Sequence, residues 1–140
     1  MAVRISAEAR SVAADAIAAL VDGGVLRLYT GTQPAGPDEE PTGTLLAELD
    51  LEDPAFAAAV AGAASLDTTP ELTTTGLADG DVGWFRVCSA AQAAGEGLGV
   101  LDGAVTVSGG GGELTLNTLA VESGVPVTVT AGVVTMPAAP

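Results

Sequence analysis

The sequence contains no histidine and no lysine, and its only basic side chains are four arginines against eighteen acidic residues. A serine–histidine–aspartate site and a cysteine activated by histidine are excluded, because both need an imidazole base. The formal net charge of −14 disfavours binding to nucleic-acid phosphates and to anionic membranes, which attract clustered Lys and Arg. This composition is typical of a binding or structural protein rather than an enzyme, and we expect no catalytic residue, no cofactor and no metal site.

The sequence has a single cysteine, Cys88, which cannot form an internal disulfide, so cysteine usage does not indicate a compartment. Without a histidine to activate it, we interpret Cys88 as a small buried apolar residue rather than a nucleophile. No window approaches the roughly 18 apolar residues of a membrane span, and no cationic start precedes an apolar run. We therefore expect neither a membrane span nor a signal peptide.

Aromatic residues are also scarce, with one Trp, one Tyr and two Phe in 140 residues. Because a buried aromatic side chain removes about 150–250 Å² from water, we expect Tyr29, Phe56, Trp84 and Phe85 to be the largest pieces of the core. Trp84 and Phe85 are neighbours in a predicted strand over 82–88. Neighbours in a strand point to opposite faces, so these two rings should lie on different sides of the sheet.

One helix is predicted, over residues 6–22. Ser6 is suited to cap its first turn, and the Gly23-Gly24 pair is suited to end it. Its apolar stripe consists of Val12, Ala13, Ala16, Ile17 and Leu20. The stripe favours packing over the protein's own sheet, and docking on a partner or a neighbouring subunit is the alternative.

The rest of the sequence alternates short apolar segments with turn signals. Strands are predicted over 25–30, 44–51, 54–65, 82–88, 98–101, 104–107, 113–121 and 125–136, the last being one strand or a pair. Residues 66–81 are predicted to form a long loop, with a short strand over 72–75 as an open alternative. This pattern predicts a mainly β protein: an antiparallel β-sandwich or jelly-roll-like domain of about seven or eight strands with one N-terminal amphipathic helix. We expect a single domain over 1–140, with the helix over 6–22, the sandwich over 25–137 and a tail over 138–140.

For two of these strands, the sequence also predicts which side chains face the core. Over 44–51, strict alternation predicts that Leu45, Ala47, Leu49 and Leu51 face the core while Leu46, Glu48 and Asp50 face water. Over 125–136, alternation places Val125 on the same face as Val127 and Val129. Arg86, within the central strand, is expected either to lie at a strand end or to pair with a carboxylate, rather than to recognise an anionic ligand.

The glycine-containing turns give further predictions. Asp102-Gly103 is typical of a two-residue hairpin turn. The run 108–112 holds four glycines, but a phosphate loop would need a Lys, so we interpret it as a flexible hairpin connection.

The alternation changes phase near Asn117-Thr118, which predicts a bulge or bend. Asp38, Glu39 and Glu40 are consecutive rather than alternating, so they indicate a solvated loop tip rather than a calcium loop.

An ordered set of short motifs resembles a family of small virion proteins from tailed bacteriophages and prophages. The set comprises residues 26–34 (LRLYTGTQP), 41–49 (PTGTLLAEL), 54–56 (PAF), 83–86 (GWFR), 102–103 (DG), 114–117 (LTLN), 127–129 (VTV) and 135–137 (TMP). In that family a short amphipathic helix precedes a strand that ends in a turn similar to Tyr-x-Gly-x-x-Pro. The match covers nearly the whole chain in order.

The resemblance implies a structural protein on the capsid surface, made in the cytoplasm of a host bacterium. A capsid decoration (cement) protein that clamps adjacent major capsid subunits is the first hypothesis. The implied partners are the major capsid protein and neighbouring copies of the chain, with a homotrimer as one arrangement, and with no nucleic acid and no membrane. The expected partner contacts are Ala2, Val3, Arg4 and Ile5 in the N-terminal segment and Thr32, Gln33, Pro34, Asp38, Glu39 and Glu40 in the loop that follows the first strand.

Other functions remain open on the sequence alone. A tail or head–tail component, or a fibre or receptor-binding domain, could use the same fold, because fold does not decide function. A carbohydrate-binding module would need exposed aromatic rings, so exposure of Trp84 is the feature that discriminates it.

Overall fold

The computed structural model describes residues 3–93, 98–107, 110 and 112–136. The protein is mainly β, with one long N-terminal helix. The elements are α1 (Ala7–Leu20), β1 (Val25–Tyr29), β2 (Leu45–Asp50), β3 (Ala63–Ser65), β4 (Leu72–Thr75), β5 (Gly80–Asp81), β6 (Trp84–Cys88), α2 (Ala90–Ala93), β7 (Leu101–Val107), β8 (Leu114–Leu116), β9 (Ala120–Val121) and β10 (Pro126–Thr135).

A curled, mixed sheet dominates the fold. Seven strands follow the order β2-β1-β6-β7-β8-β10-β3, and β4 also pairs with β10, whereas β5 and β9 form a separate two-stranded ribbon. The two ends of the large sheet approach each other, because the Leu77 N–H, just after β4, donates to the Leu46 carbonyl of β2 at 2.7 Å. The β7–β8 pairing is parallel, so the sheet is not the purely antiparallel one that the sequence predicted.

The main core fills the concave side of this sheet. Antiparallel partners share a face, so Leu28, Phe85, Val105, Leu116 and Val129 line one continuous apolar surface across five strands. All five side chains are buried.

Helix α1 begins as predicted but buries a different face. The Ser6 Oγ accepts a hydrogen bond from the Ala9 N–H at 3.1 Å, and Gly23 adopts a left-handed φ of 68° beyond the last turn. The predicted apolar stripe is wrong, because Val12 and Leu20 are 63% and 60% exposed. The residues that the helix buries against its own chain are Ala14, Ala18 and Val21.

Polar side chains on α1 explain this orientation. Asp15 Oδ1 accepts from the Ala59 N–H at 2.7 Å, and Ser11 Oγ accepts from the Gly62 N–H at 3.0 Å. These bonds hold the segment before β3 against the helix. The small alanines between them allow the close approach, so backbone hydrogen bonding rather than the largest side chains selects the buried face.

Two of the strand predictions need correction. The pairing of β1 with β2 shifts register between Leu28 and Tyr29, and the extra residue on β2 turns Leu46 inward, where it is fully buried instead of facing water. The segment 54–65, predicted as one strand, contains only β3 and isolated bridges such as Phe56 with Leu66.

The Asp102-Gly103 pair is not a hairpin turn. Both residues lie inside β7, and Gly103 is the cross-strand partner of Phe85. A Cβ on Gly103 would stand 2.5 Å from the Phe85 ring, so glycine is present here for close packing rather than for a turn. The strands predicted over 98–101 and 104–107 are therefore replaced by a single strand that begins at Leu101.

The glycine run does not connect a hairpin either. Because β7 and β8 are parallel, the chain turns back to the level of Val105 before β8 starts. Residues 108, 109 and 111 of the run lie outside the described residues.

The later part of the chain gives one confirmed and one wrong prediction. The predicted break at Asn117-Thr118 is confirmed: β8 ends at Leu116, and the following β9 pairs with β5 in the other sheet. Val125 is 46% exposed, unlike Val127 and Val129, because β10 begins only at Pro126. The predicted tail over 138–140 lies outside the described residues.

Candidate interaction surface

A row of four charged residues crosses the convex face of the sheet. Glu48, Arg27, Arg86 and Asp102 are successive cross-strand partners on β2, β1, β6 and β7. Directly paired residues project to the same face, which is opposite to the apolar core. Every residue of β1 and β6 is buried, so the row lies beneath a second covering layer.

The centre of this row is a fully buried ion pair. Arg86 donates from Nε to Asp102 Oδ1 at 2.7 Å and from Nη2 to Asp102 Oδ2 at 2.9 Å. The two side chains are 0% and 2% exposed. The hydrogen bonds that Arg86 donates to Asp102 raise the pKa of Arg86 above its ordinary value and outweigh desolvation, which acts in the opposite direction. The guanidinium therefore stays charged inside the protein.

The same guanidinium fixes the backbone of the loop after β1. Arg86 Nη1 donates to the Glu39 carbonyl at 2.7 Å, and Nη2 donates to the Gly36 carbonyl at 3.1 Å. The Pro37 carbonyl accepts from the Gly99 N–H at 3.0 Å. The loop is thus held by a buried cation through its main chain, while the side chain of Glu39 remains exposed.

Arg27 fixes a second part of the covering layer. Its Nε donates to Glu48 Oε2 at 3.1 Å, and its Nη2 donates to the Ala93 carbonyl of α2 at 3.0 Å. Its Nη1 lies 3.8 Å from the sulfur of Cys88. Burial raises the pKa of the Cys88 thiol, which matches the interpretation of this residue as a buried, unreactive side chain.

The aromatic residues divide between the two faces of the sheet. Phe85 and Phe56 belong to the main core, whereas Trp84 and Tyr29 stack on the convex face with ring centroids 4.6 Å apart. The Arg86 guanidinium carbon lies 5.2 Å from the Trp84 ring centroid, a cation–π arrangement. Trp84 is fully buried and donates from Nε1 to the Thr30 carbonyl at 3.3 Å, so its face is closed to a sugar ring.

The residues predicted to contact a partner are mostly at the surface. Val3, Arg4, Ile5, Thr32, Gln33, Asp38, Glu39 and Glu40 are exposed, Pro34 is half-buried, and Ala2 lies outside the described residues. The two segments belong to different parts of the fold. The N-terminal segment precedes α1, which packs near β3 and β10, whereas the loop lies over β1 and β6.

Sequence reasoning anticipated a carboxylate partner for Arg86 but not the row itself. Glu48 was expected to face water and Asp102 to lie in a hairpin turn, because cross-strand register cannot be read from composition or alternation. The available signal was the presence of Arg27 and Arg86 inside two strands that are otherwise apolar. Buried charges need paired partners, so two such strands could have been expected to lie side by side with acids outside them.

The described residues form neither a metal-binding cluster nor a membrane-spanning helix. Across 3–93, 98–107, 110 and 112–136, no three His, Cys, Asp or Glu side chains are grouped so that they could hold a metal ion. Among the same residues, no helix has the length and apolarity needed to cross a membrane. None of the protein-family models, curated proteins or solved structures compared with the chain matched it.

Proposed function

We propose that this protein is a structural component of a tailed-phage virion, a capsid decoration protein that binds the outside of the head and stabilises contacts between major capsid subunits. The proposal begins from the ordered sequence motifs, which resemble small virion proteins of tailed phages. Its partners are the major capsid protein and neighbouring copies of the chain.

The observation that carries the proposal is the loop 36–39, which a buried cation holds in place. Arg86 donates to two of its carbonyls while Asp102 neutralises the charge beneath. A loop that is already ordered loses little conformational entropy when it binds. Its exposed acids Asp38, Glu39 and Glu40 then form a rigid acidic tip suited to a basic patch on another protein.

The placement of the loop and the helix on the fold is also compatible with a binding role. We propose that the curled sheet is a variant of the sandwich or jelly roll, with two layers facing the core and one parallel pairing at β7–β8. In this arrangement the loop and α1 lie on different parts of the surface, so one copy can contact more than one neighbour. Many copies on one particle would strengthen each weak contact through avidity.

The alternative functions differ in how well they agree with the surface of the protein. A tail or head–tail component, or a fibre domain, could use the same rigid surface, and experiment must distinguish it from a head protein. A carbohydrate-binding module is disfavoured, because Trp84 is stacked on Tyr29 and fully buried.

Cosedimentation of the purified protein with phage heads that lack it tests this proposal. We expect saturable binding to heads, with the Kd raised about tenfold by Glu39→Lys, which corresponds to about 1.4 kcal/mol. Glu71→Lys makes the same charge change at another exposed position and should bind like the wild type. Binding to purified tails instead of heads would support the tail alternative, and binding to neither would contradict a virion contact. Equal binding by both variants would show that the loop is not the contact.

A further inference from the structure

The β1–β2 loop, residues 31–43, covers part of the convex face without contributing to the core. Every residue of the loop is exposed or half-buried, and none belongs to the apolar core. The Arg86 guanidinium that the loop contacts has, by contrast, no exposed surface. The loop therefore buries a group of the sheet while burying no side chain of its own, so little apolar stabilisation holds it in place.

Main-chain carbonyls attach this loop to the rest of the protein. Among the described residues, the Gly36 and Glu39 carbonyls accept hydrogen bonds from Arg86 at 3.1 and 2.7 Å. The Pro37 carbonyl accepts one from the Gly99 N–H at 3.0 Å. The attachment is thus concentrated at the tip of the loop, in residues 36–39, and Arg86 supplies two of these three bonds.

The base of the loop is closed by a separate set of bonds. The Thr30 N–H donates to the Thr44 carbonyl at 3.0 Å, and the Thr44 N–H donates to Thr30 Oγ1 at 2.8 Å. Within the loop, Thr42 Oγ1 donates to the Thr32 carbonyl at 2.6 Å. A loop whose ends are held together in this way has the form of an Ω-loop. Its tip can leave the sheet while β1 and β2 stay paired.

We propose that the β1–β2 loop opens as a unit while the strands stay paired, and that Arg86 is the latch that keeps it closed. Segments with few buried apolar contacts are the ones that open below the global unfolding free energy. The closed state dominates because the bonds from the guanidinium are charge-assisted. Opening leaves no charge unpaired, because Arg86 Nε still donates to Asp102 Oδ1 at 2.7 Å.

Opening of the loop would regulate the acidic tip. Asp38, Glu39 and Glu40 keep a fixed arrangement only while the loop is latched, so a basic partner that binds this arrangement shifts the population toward the closed state. This regulatory consequence rests on the proposed function. The opening itself is a property of the protein alone and is measured without any partner, so its failure and the failure of head binding are distinguishable.

Two neighbouring amides form a matched pair of probes for amide hydrogen exchange measured by NMR. The Gly99 N–H is bonded to the loop, whereas the Val100 N–H donates to the Val87 carbonyl of β6 at 2.8 Å. After correction for intrinsic rates, we expect Gly99 to exchange about tenfold faster than Val100 or more. Low urea concentrations should accelerate Gly99 less than Val100, because opening the loop exposes little surface. Equal protection of the two amides, with equal urea dependence, would overturn the proposal.

A conservative substitution tests the latch. Arg86→Lys keeps a cation beside Asp102 but removes the fork of donors that reaches the loop, so Gly99 should lose about tenfold more protection relative to Val100. Arg27→Lys is the matched control, because Arg27 donates to the Ala93 carbonyl of α2 instead of the loop, and it should leave this ratio unchanged. An unchanged ratio in Arg86→Lys, or an equal fall in both variants, would overturn the assignment of the latch. The wild-type comparison of the two amides decides whether the loop opens even if Arg86→Lys does not fold.

Discussion

At the scale of single residues, the unusual feature is a guanidinium buried beneath the surface with no exposure at all. Isolated burial of a charge is costly, and here the cost is offset by Asp102 and by the carbonyls of Gly36 and Glu39. Removing one partner leaves the other charge buried and uncompensated. The contribution of the ion pair should therefore be measurable as the difference in the free energy of unfolding between single and double variants.

Substitution of Arg86 should be strongly destabilising. We expect Arg86→Met to lower the free energy of unfolding by about 3–5 kcal/mol, because the Asp102 carboxylate remains buried without its partner. The double variant Arg86→Met/Asp102→Leu should recover part of this loss. Urea unfolding monitored by circular dichroism measures both.

Arg27 provides the matched control for this prediction. Its carboxylate partner Glu48 has a side chain that is 35% exposed, so water can solvate the carboxylate that Arg27→Met leaves behind. Arg27→Met should therefore cost clearly less than Arg86→Met. Equal costs, or a loss below about 1 kcal/mol for Arg86→Met, would contradict the importance of the buried pair.

Substitution of Gly103 tests whether this glycine packs closely against Phe85 inside β7 rather than forming a hairpin turn. Gly103→Ala places a methyl group 2.5 Å from the Phe85 ring, so the ring must shift, and we expect a loss of about 1–3 kcal/mol in thermal or urea unfolding. Gly36→Ala is the control, because a Cβ there meets no atom within 4 Å. Equal effects of the two variants would contradict the close packing of Gly103 against the Phe85 ring.

At the scale of elements, sequence predicted the existence of α1 but not its orientation. The start of the helix could be predicted because capping is local: Ser6 binds the Ala9 N–H three residues on. The buried face of the helix could not be predicted, because it is determined by hydrogen bonds between distant groups. Asp15 and Ser11 accept these bonds from the backbone N–H groups of Ala59 and Gly62. Long-range hydrogen bonds of this kind leave no periodic trace in the sequence.

A pair of charge substitutions distinguishes the observed helix face from the predicted one. Ala14→Asp places a carboxylate at a fully buried position and should lower the free energy of unfolding by more than about 2 kcal/mol. Val12→Asp, at an exposed position, should change it by less than about 0.5 kcal/mol. Chemical denaturation of dilute protein compares the two, and the reverse order would mean that the predicted stripe is the buried face.

At the scale of the whole molecule, the mainly β class was predictable and the path of the chain was not. Short alternating segments such as Thr128–Thr130 carry their own strand signal. By contrast, the parallel return from β7 to β8 and the bulge at Leu46 depend on which strands become neighbours. The row from Glu48 to Asp102 depends on the same long-range register, so it too became visible only in the folded chain.

We propose that this protein lies on the outside of a phage head. Gold-labelled antibody against the protein, viewed on intact virions by electron microscopy, tests this proposal. We expect label spread over the head surface. Label confined to the tail or its tip, or absence of the protein from the particles, would contradict it.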